Sequence, residues 1–308
     1  MEFIATEHKN NQFNPSIFPS HLDWSNIPKL DILIIPIILY DIPITKQLTS
    51  YNTKIQEVIM DEFSRIKKID AHTHIGEFGN PFNINFDTDR LLQQMETYNI
   101  EKTILCASGP HMNEDTVAAF KAHPDKIIPL MWINCAEGQP AYDLLEHYIR
   151  DEHFAGAKLQ SLFDGYSADA PCVDPVAEIC EKYGKPLFVH SGHPPFSLPW
   201  QIGLLAERHP HLPIVMIHMG HAHGVYVDAA STMAKKYDNI WLETSGTSMS
   251  CQIKNAYDTV GHERVMFGID SPFHQPTVEI QKVMACGVDE EGLENIFYNN
   301  AAKFMGLK

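Results

Sequence analysis

Arginine is scarce in this sequence: Arg65, Arg90, Arg150, Arg208 and Arg264 are the only five among 308 residues. Basic side chains together number 23 against 39 acidic ones, for a formal net charge of −16. Binding to a polyanion rests on a basic footprint, so DNA and RNA are poor partners for this chain. Cysteine is also sparse in pattern. Cys106, Cys135, Cys172, Cys180, Cys251 and Cys286 form no C-x-x-C pair and lack the density of a small secreted scaffold. They read as free thiols in a reducing compartment. The opening "MEFIATEHKNN" has no basic stretch followed by an apolar core, so no signal peptide is visible and a cytoplasmic protein is expected.

Apolar runs of membrane length are missing too. The strongest, "LDILIIPIILYDIPI" (Leu30–Ile44), contains Asp31, Asp41, Pro36 and Pro43. It is shorter than the roughly 20 residues a spanning helix needs. Burial against the rest of the chain, or against a second subunit of a homo-oligomer, is expected instead, because so many exposed aliphatics would make a large sticky patch.

With 44% hydrophobic residues, the chain can bury a sizeable core. From residue 67 onward, β-branched runs alternate with helical patterns. The strand candidates are Lys68–His72, Lys102–Cys106, Ile127–Trp132, Ala155–Leu159, Pro186–His190, Ile214–His218, Ile240–Glu243 and Val265–Ile269. Amphipathic segments such as "DTDRLLQQMETYN" and "DPVAEICEKYG" lie between them and end in Asn or Gly, as helices do. Continuous apolar runs suit parallel strands covered on both faces. The spacing therefore predicts an α/β fold, a (β/α)8 TIM barrel over residues 67–308, with a doubly wound open sheet as runner-up. Residues 1–66 form an N-terminal extension. Its end places Ile55, Val58, Ile59, Phe63 and Ile66 on one helical face, expected to pack on the bottom of the barrel.

The stretch "KKIDAHTHIGEFG" puts His72 and His74 two residues apart at the end of the first strand candidate, on one face of it. With seventeen histidines in the chain, such a pair is weak alone. The other strand ends strengthen it. Lys158 closes strand 4, His190 strand 5 in "PLFVHSG", His218 strand 6 in "IVMIHMG", and Asp270 strand 8 in "VMFGIDSP". Each of these histidines singly is more often a satisfied polar residue, and Asp270 alone could be a helix N-cap. In a barrel, however, side chains at the C-terminal strand ends converge, and four strands each delivering a ligand-type group point to a metal site. Mixed imidazole and carboxylate ligation suits Zn²⁺, with Mn²⁺, Fe²⁺ or Co²⁺ as other candidates.

These motifs, with "IDAHTHIG", "GAKLQ", "IHMGH", "ERVMFGIDSPF" and "NNAAKFMGL", resemble the amidohydrolase superfamily, and within it the amidohydrolase-related TIM-barrel hydrolases. The resemblance covers residues 67–308. It implies that His72, His74, His190 and Asp270 hold one or two divalent ions. It implies that His218 is either a second-metal ligand or a catalytic group polarising the substrate carbonyl, and that Lys158 occupies the place of a carboxylated bridging lysine. Asp270 would carry the proton. Ser191, His193, His221 and His223 are candidates for substrate contact, as are Lys158, Glu243 and Ser245; Cys106 and Cys135 read as inert thiols.

Two reactions follow from this resemblance. One is hydrolysis of a small amide, ester or lactone by metal-activated water; the other is non-oxidative decarboxylation of a small acid. A catalytically silent binding protein is a third reading, disfavoured because every ligand-type residue is present. An acid substrate calls for a fixed cation, preferably arginine. No arginine falls at a predicted C-terminal strand end, which tilts the expectation toward hydrolysis of a neutral or singly charged substrate, with Lys158 or an arginine of a neighbouring subunit as the alternative cation for an acid.

Overall fold

The structure, a computed structural model, describes residues 60–307 except Ala222. Eight parallel strands run in sequence order round a nearly closed barrel. They are β1 (Lys68–His74), β2 (Ile100–Cys106), β3 (Ile127–Trp132), β4 (Gly156–Leu159), β5 (Leu187–His190), β6 (Ile214–Ile217), β7 (Ile240–Glu243) and β8 (Val265–Met266). Ala71 N donates to Phe267 O (2.9 Å) and His74 N to Ser271 O (2.8 Å), which joins the β8 segment back to β1. The expected TIM barrel is therefore present.

The principal connecting helices are α1 (Thr88–Thr97), α2 (Asn113–Ala122), α3 (Gln139–Arg150), α4 (Asp174–Tyr183), α5 (Pro199–Arg208), α6 (Gly224–Lys236), α7 (Ser250–Val260) and α8 (Pro276–Met284). Their ends follow local chemistry. Asp87 caps α1 through Arg90 N (2.9 Å), and α4 begins with a proline in its first turn and stops at Gly184 with φ 61°, a left-handed position that favours glycine.

Alternation along the strands divides the core. Leu105, Ile127, Met131, Leu187, Val189 and Leu242 pack outward against the helices, while Ile104, Ile128, Leu130, Phe188, Val215 and Met266 fill the barrel. The C-terminal segment closes the lower end, with Ala301 buried in the interior cluster and Phe304, Met305 and Leu307 packed against it. Continued upward, the inward rows of β3, β4, β5 and β7 end in Trp132, Lys158, His190 and Glu243. Two positions depart from simple alternation. The pairing register of β1 on β2 shifts between Asp70 and Thr73. Beyond β6, His218 (φ 65°) and Met219 (φ 38°) adopt left-handed backbone, turning the chain where a straight strand would aim His218 outward.

Boundaries differ from the sequence reading mainly at β6 and β8. His218 opens a short turn rather than ending β6, and β8 keeps only Val265–Met266 in ladder pairing. Residues 60–64 are helical, with Phe63 in the core and Met60 and Ile66 packed against it. Ile55, Val58, Ile59 and the apolar stretch Leu30–Ile44 lie outside the described residues. Among the described residues, no helix is long and apolar enough to cross a membrane.

Candidate metal centre

The C-terminal strand ends open into a cavity of about 440 Å³, whose lining includes His72, His74, Lys158, His190, His218 and Asp270. Three of these form a tight set. Ligand-type atoms of His72, His218 and Asp270 all lie within 4.8 Å of one another, and all three residues are buried. The carboxylate of Asp270 is at the middle. Its Oδ1 is 3.1 Å from His72 Nε2 and 3.6 Å from His74 Nε2, and its Oδ2 is 3.8 Å from His218 Nε2.

The other two expected ligands, His74 and His190, sit beside this set with further contacts at their Nε2 atoms. His74 Nε2 is 2.7 Å from Lys158 Nζ, and its Nδ1 is 2.8 Å from the Ala107 carbonyl. His190 Nε2 is 2.7 Å from His193 Nδ1, and Gln160 Nε2 is 3.1 Å from His190 Nδ1. The His190 ring lies 4.8 Å from that of His218.

Burial pushes the pKa values of His72, His74, His190 and His218 well below the usual histidine range, with the Lys158 charge acting in the same direction. Neutral imidazoles offer lone pairs. Burial raises the Asp270 carboxyl, against the pull of His74 and Lys158. His72 Nδ1 and Gln160 Oε1 are buried without a protein hydrogen-bond partner. Two neutral imidazoles and a carboxylate converging in a buried pocket fit a divalent ion of the Zn²⁺ or Mn²⁺ kind.

Lys158 is completely buried, its Nζ 4.9 Å from the centre of the Trp132 ring. Desolvation lowers its pKa. Trp132 Nε1 donates to Asp164 Oδ2 at 3.1 Å, which fixes the indole against the lysine; burial raises the Asp164 carboxyl to about 6. His193 and His221 line the cavity. Ser191 does not: its Oγ donates to Ile217 O and accepts from Gly220 N, tying together the loops after β5 and β6. Glu243 and Ser245 lie beneath, where Glu243 accepts from His218 N (3.1 Å) and Ser245 Oγ (2.7 Å). His223 caps α6 through Val225 N, and Cys106 is a buried thiol raised to about 12. Cys135 is likewise buried, 3.2 Å from Cys172 Sγ.

Several lining residues escaped the sequence reading: Phe78, Phe82, Trp132, Gln160, Phe163, Phe273 and His274. Two had a usable signal. Gln160 follows Lys158 by two positions in "AKLQ", and His274 follows Asp270 by four in "DSPFH". The aromatic wall had none, since Phe78 and Phe82 belong to a loop with a small hairpin, Gly76–Phe78 with Ile84–Phe86. Phe273 is 4.8 Å from Phe78, 4.9 Å from Phe82 and 6.0 Å from His74, ring centre to ring centre.

A sequence model of the amidohydrolase family matches residues 69–307. A curated relative, 2-amino-3-carboxymuconate-6-semialdehyde decarboxylase of Dictyostelium discoideum, is 22% identical over 241 residues, 64% of this chain and 66% of the relative. Among solved structures, 2,6-dihydroxybenzoate decarboxylase from Rhizobium superposes with a TM-score of 0.62 at 18% identity, over 78% of this chain and 99% of its own. The manganese-bound 5-carboxyvanillate decarboxylase of Novosphingobium aromaticivorans gives 0.64 at 16% identity, over 79% and 97%.

These relatives overturn the expectation of hydrolysis. As the strand-end pattern predicts, no arginine lines the cavity among the described residues. The basic side chain that does line it is a lysine: Lys158, fully buried with its Nζ 2.7 Å from His74 Nε2.

Proposed function

The chain belongs to the amidohydrolase family, and from that premise we propose that it is a metal-dependent, non-oxidative decarboxylase of a small, planar carboxylic acid. The observation that carries this reading is the buried Lys158 among neutral histidines at the floor of an aromatic-walled cavity. Burying a lysine is costly, and a substrate carboxylate beside it would offset that cost. The decarboxylase activities of the curated relative and of the solved neighbours support the same reaction.

His72, His218 and Asp270 would hold a divalent ion, with His74 and His190 adjacent; Zn²⁺ suits the donor set, and Mn²⁺ is the ion bound in one neighbour. When bound, that ion would supply Lewis-acid stabilisation of negative charge on the substrate. Lys158 would orient the acid. Phe78, Phe82, Phe163, Phe273 and Trp132 would stack on a flat substrate and exclude water, which strengthens every electrostatic contact in the pocket. Loss of CO₂ leaves an electron pair on carbon, and a proton must replace it. Asp270, whose carboxylate lies at the middle of the site, would carry that proton to the carbon.

The test is direct. Protein loaded with Zn²⁺ or Mn²⁺ is incubated with 2,6-dihydroxybenzoate, 5-carboxyvanillate and 2-amino-3-carboxymuconate-6-semialdehyde, and CO₂ release is followed. Decarboxylation that needs the ion is expected for at least one; bound acids with no CO₂ release from any would refute the reading.

A further inference from the structure

We propose that Cys135 and Cys172 form a modification site of this protein, closing to a reversible disulfide under a peroxide oxidant. The site lies outside the metal centre, and the proposal is independent of the reaction carried out there.

The two thiols are brought together by short turns far apart in sequence. Cys135 opens the 3₁₀ turn Cys135–Glu137, which follows β3, and Cys172 sits in the 3₁₀ turn Pro171–Val173, which leads into α4. The turns pack on one another, and the two Sγ atoms are 3.2 Å apart. A disulfide holds its sulfurs at about 2.0 Å, so closing the bond asks for a movement of only about 1 Å. The backbone on both sides is pinned. Tyr142 Oη, from α3, donates to the Cys172 carbonyl at 3.0 Å and to that of Cys135 at 3.1 Å. Asn134 Oδ1 accepts from Ala136 N at 3.1 Å, which fixes the first turn, and Val173 is fully buried in the second. Folding has thus already met the entropy cost of bringing these distant residues together.

Exposure divides the roles of the two sulfurs. Cys135 is 1% exposed, whereas Cys172 is only partly buried. Burial and the neighbouring Cys172 push the Cys135 thiol up, against the pull of the Tyr166 hydroxyl. Cys172 is therefore the sulfur that meets the oxidant. Its thiolate attacks one peroxide oxygen: the S–O bond forms, the O–O bond breaks, and the departing hydroxide takes up the proton that the thiol released. Cys172 is now a sulfenic acid, and the peroxide has been reduced. The Cys135 sulfur then attacks that of Cys172, forming S–S and breaking S–O, and the leaving hydroxide carries off the Cys135 proton as a second water. Two thiols and one peroxide give one disulfide and two waters. A dithiol reductant reverses the bond by exchange.

The full-length protein is treated with hydrogen peroxide, blocked with N-ethylmaleimide and mapped by mass spectrometry, with the exposed Cys251 as an internal gauge of oxidation. The expected product is a peptide pair cross-linked through Cys135 and Cys172 that dithiothreitol separates. The barrel's circular dichroism should persist, and the melting midpoint should rise by about 5 °C or more, because the bond closes a long loop. Cys172→Ser should abolish both the cross-link and the rise. Cys135→Ser should leave Cys172 as a sulfenic acid that dimedone traps. Because Cys172 is partly exposed, its replacement decides the matter even where Cys135→Ser fails to fold. Absence of the cross-link at peroxide concentrations that oxidise Cys251, or a cross-link formed only after the barrel signal is lost, overturns the proposal.

Discussion

His72 and Asp270 are joined twice: Asp270 N donates to the His72 carbonyl at 2.7 Å, and Asp270 Oδ1 lies 3.1 Å from His72 Nε2. The first contact closes the barrel between its first and last strands. The second brings two ligand-type side chains together at the seam. Folding of the barrel therefore assembles the site, because residues far apart in sequence meet only when the seam is formed.

Metal content should follow this pair. His72→Ala is expected to lower bound Zn²⁺ or Mn²⁺ severely, measured by elemental analysis of dialysed protein, while circular dichroism remains that of the barrel. Asp270→Asn preserves the side-chain shape and should reduce turnover by about 10²- to 10⁴-fold, the scale of a lost proton carrier. Full metal occupancy in His72→Ala would remove it from the ligand set.

Lys158→Met gives opposite signs for stability and function. Burying an amine costs free energy, so an apolar side chain of similar length should leave thermal stability unchanged or raised. Turnover should fall by about 10²-fold or more with KM increased, since the carboxylate loses its fixed cation. A variant that is less stable yet fully active would make Lys158 structural.

The fold was legible because parallel strands buried on both faces write themselves as short apolar runs, and Ile127–Trp132 and Ile240–Glu243 were delimited to the residue. His72 was legible as a group near the end of β1 for the same reason, and His218 and Asp270 as groups just beyond β6 and β8. The hidden features depend on tertiary geometry. Left-handed backbone at His218 cannot be inferred from "IHMG", and the engagement of His190 by His193 needs the turn of the loop after β5. Ser191 looked like a substrate contact because it follows a candidate ligand, but its hydroxyl braces backbone. The scarcity of arginine was visible; the full burial of Lys158 was not.

Glu243 should leave a mark on the pH dependence of stability. Burial raises its pKa to about 7 from an ordinary 4.5, so between these values the folded protein retains a proton that the unfolded chain releases. Stability from this group is therefore greatest below about 4.5 and declines as pH rises toward 7, by an amount on the order of 3 kcal/mol. Glu243→Gln cannot release that proton. Denaturant melts of both proteins should show the wild type losing stability relative to the variant across that window; a constant difference would mean that Glu243 does not titrate there.

The same glutamate explains a glycine. A Cβ built on Gly268 would lie 2.1 Å from Glu243 Oε1 and 2.7 Å from its Cδ, well inside contact distance. Glu243 has little freedom to move aside, because it is fully buried and accepts from His218 N, Ser245 N and Ser245 Oγ. Gly268→Ala should therefore destabilise the protein by about 1 to 3 kcal/mol, the usual cost of overpacking, and should lower metal affinity by displacing the backbone that carries His218. Shortening the acid relieves the clash. Glu243→Asp should be destabilising alone, yet the double variant should be more stable than the sum of the two single effects, with a coupling of about 1 kcal/mol or more. Chemical denaturation of the four proteins completes the cycle, and strict additivity would mean that Gly268 is required for a reason other than the room it leaves Glu243.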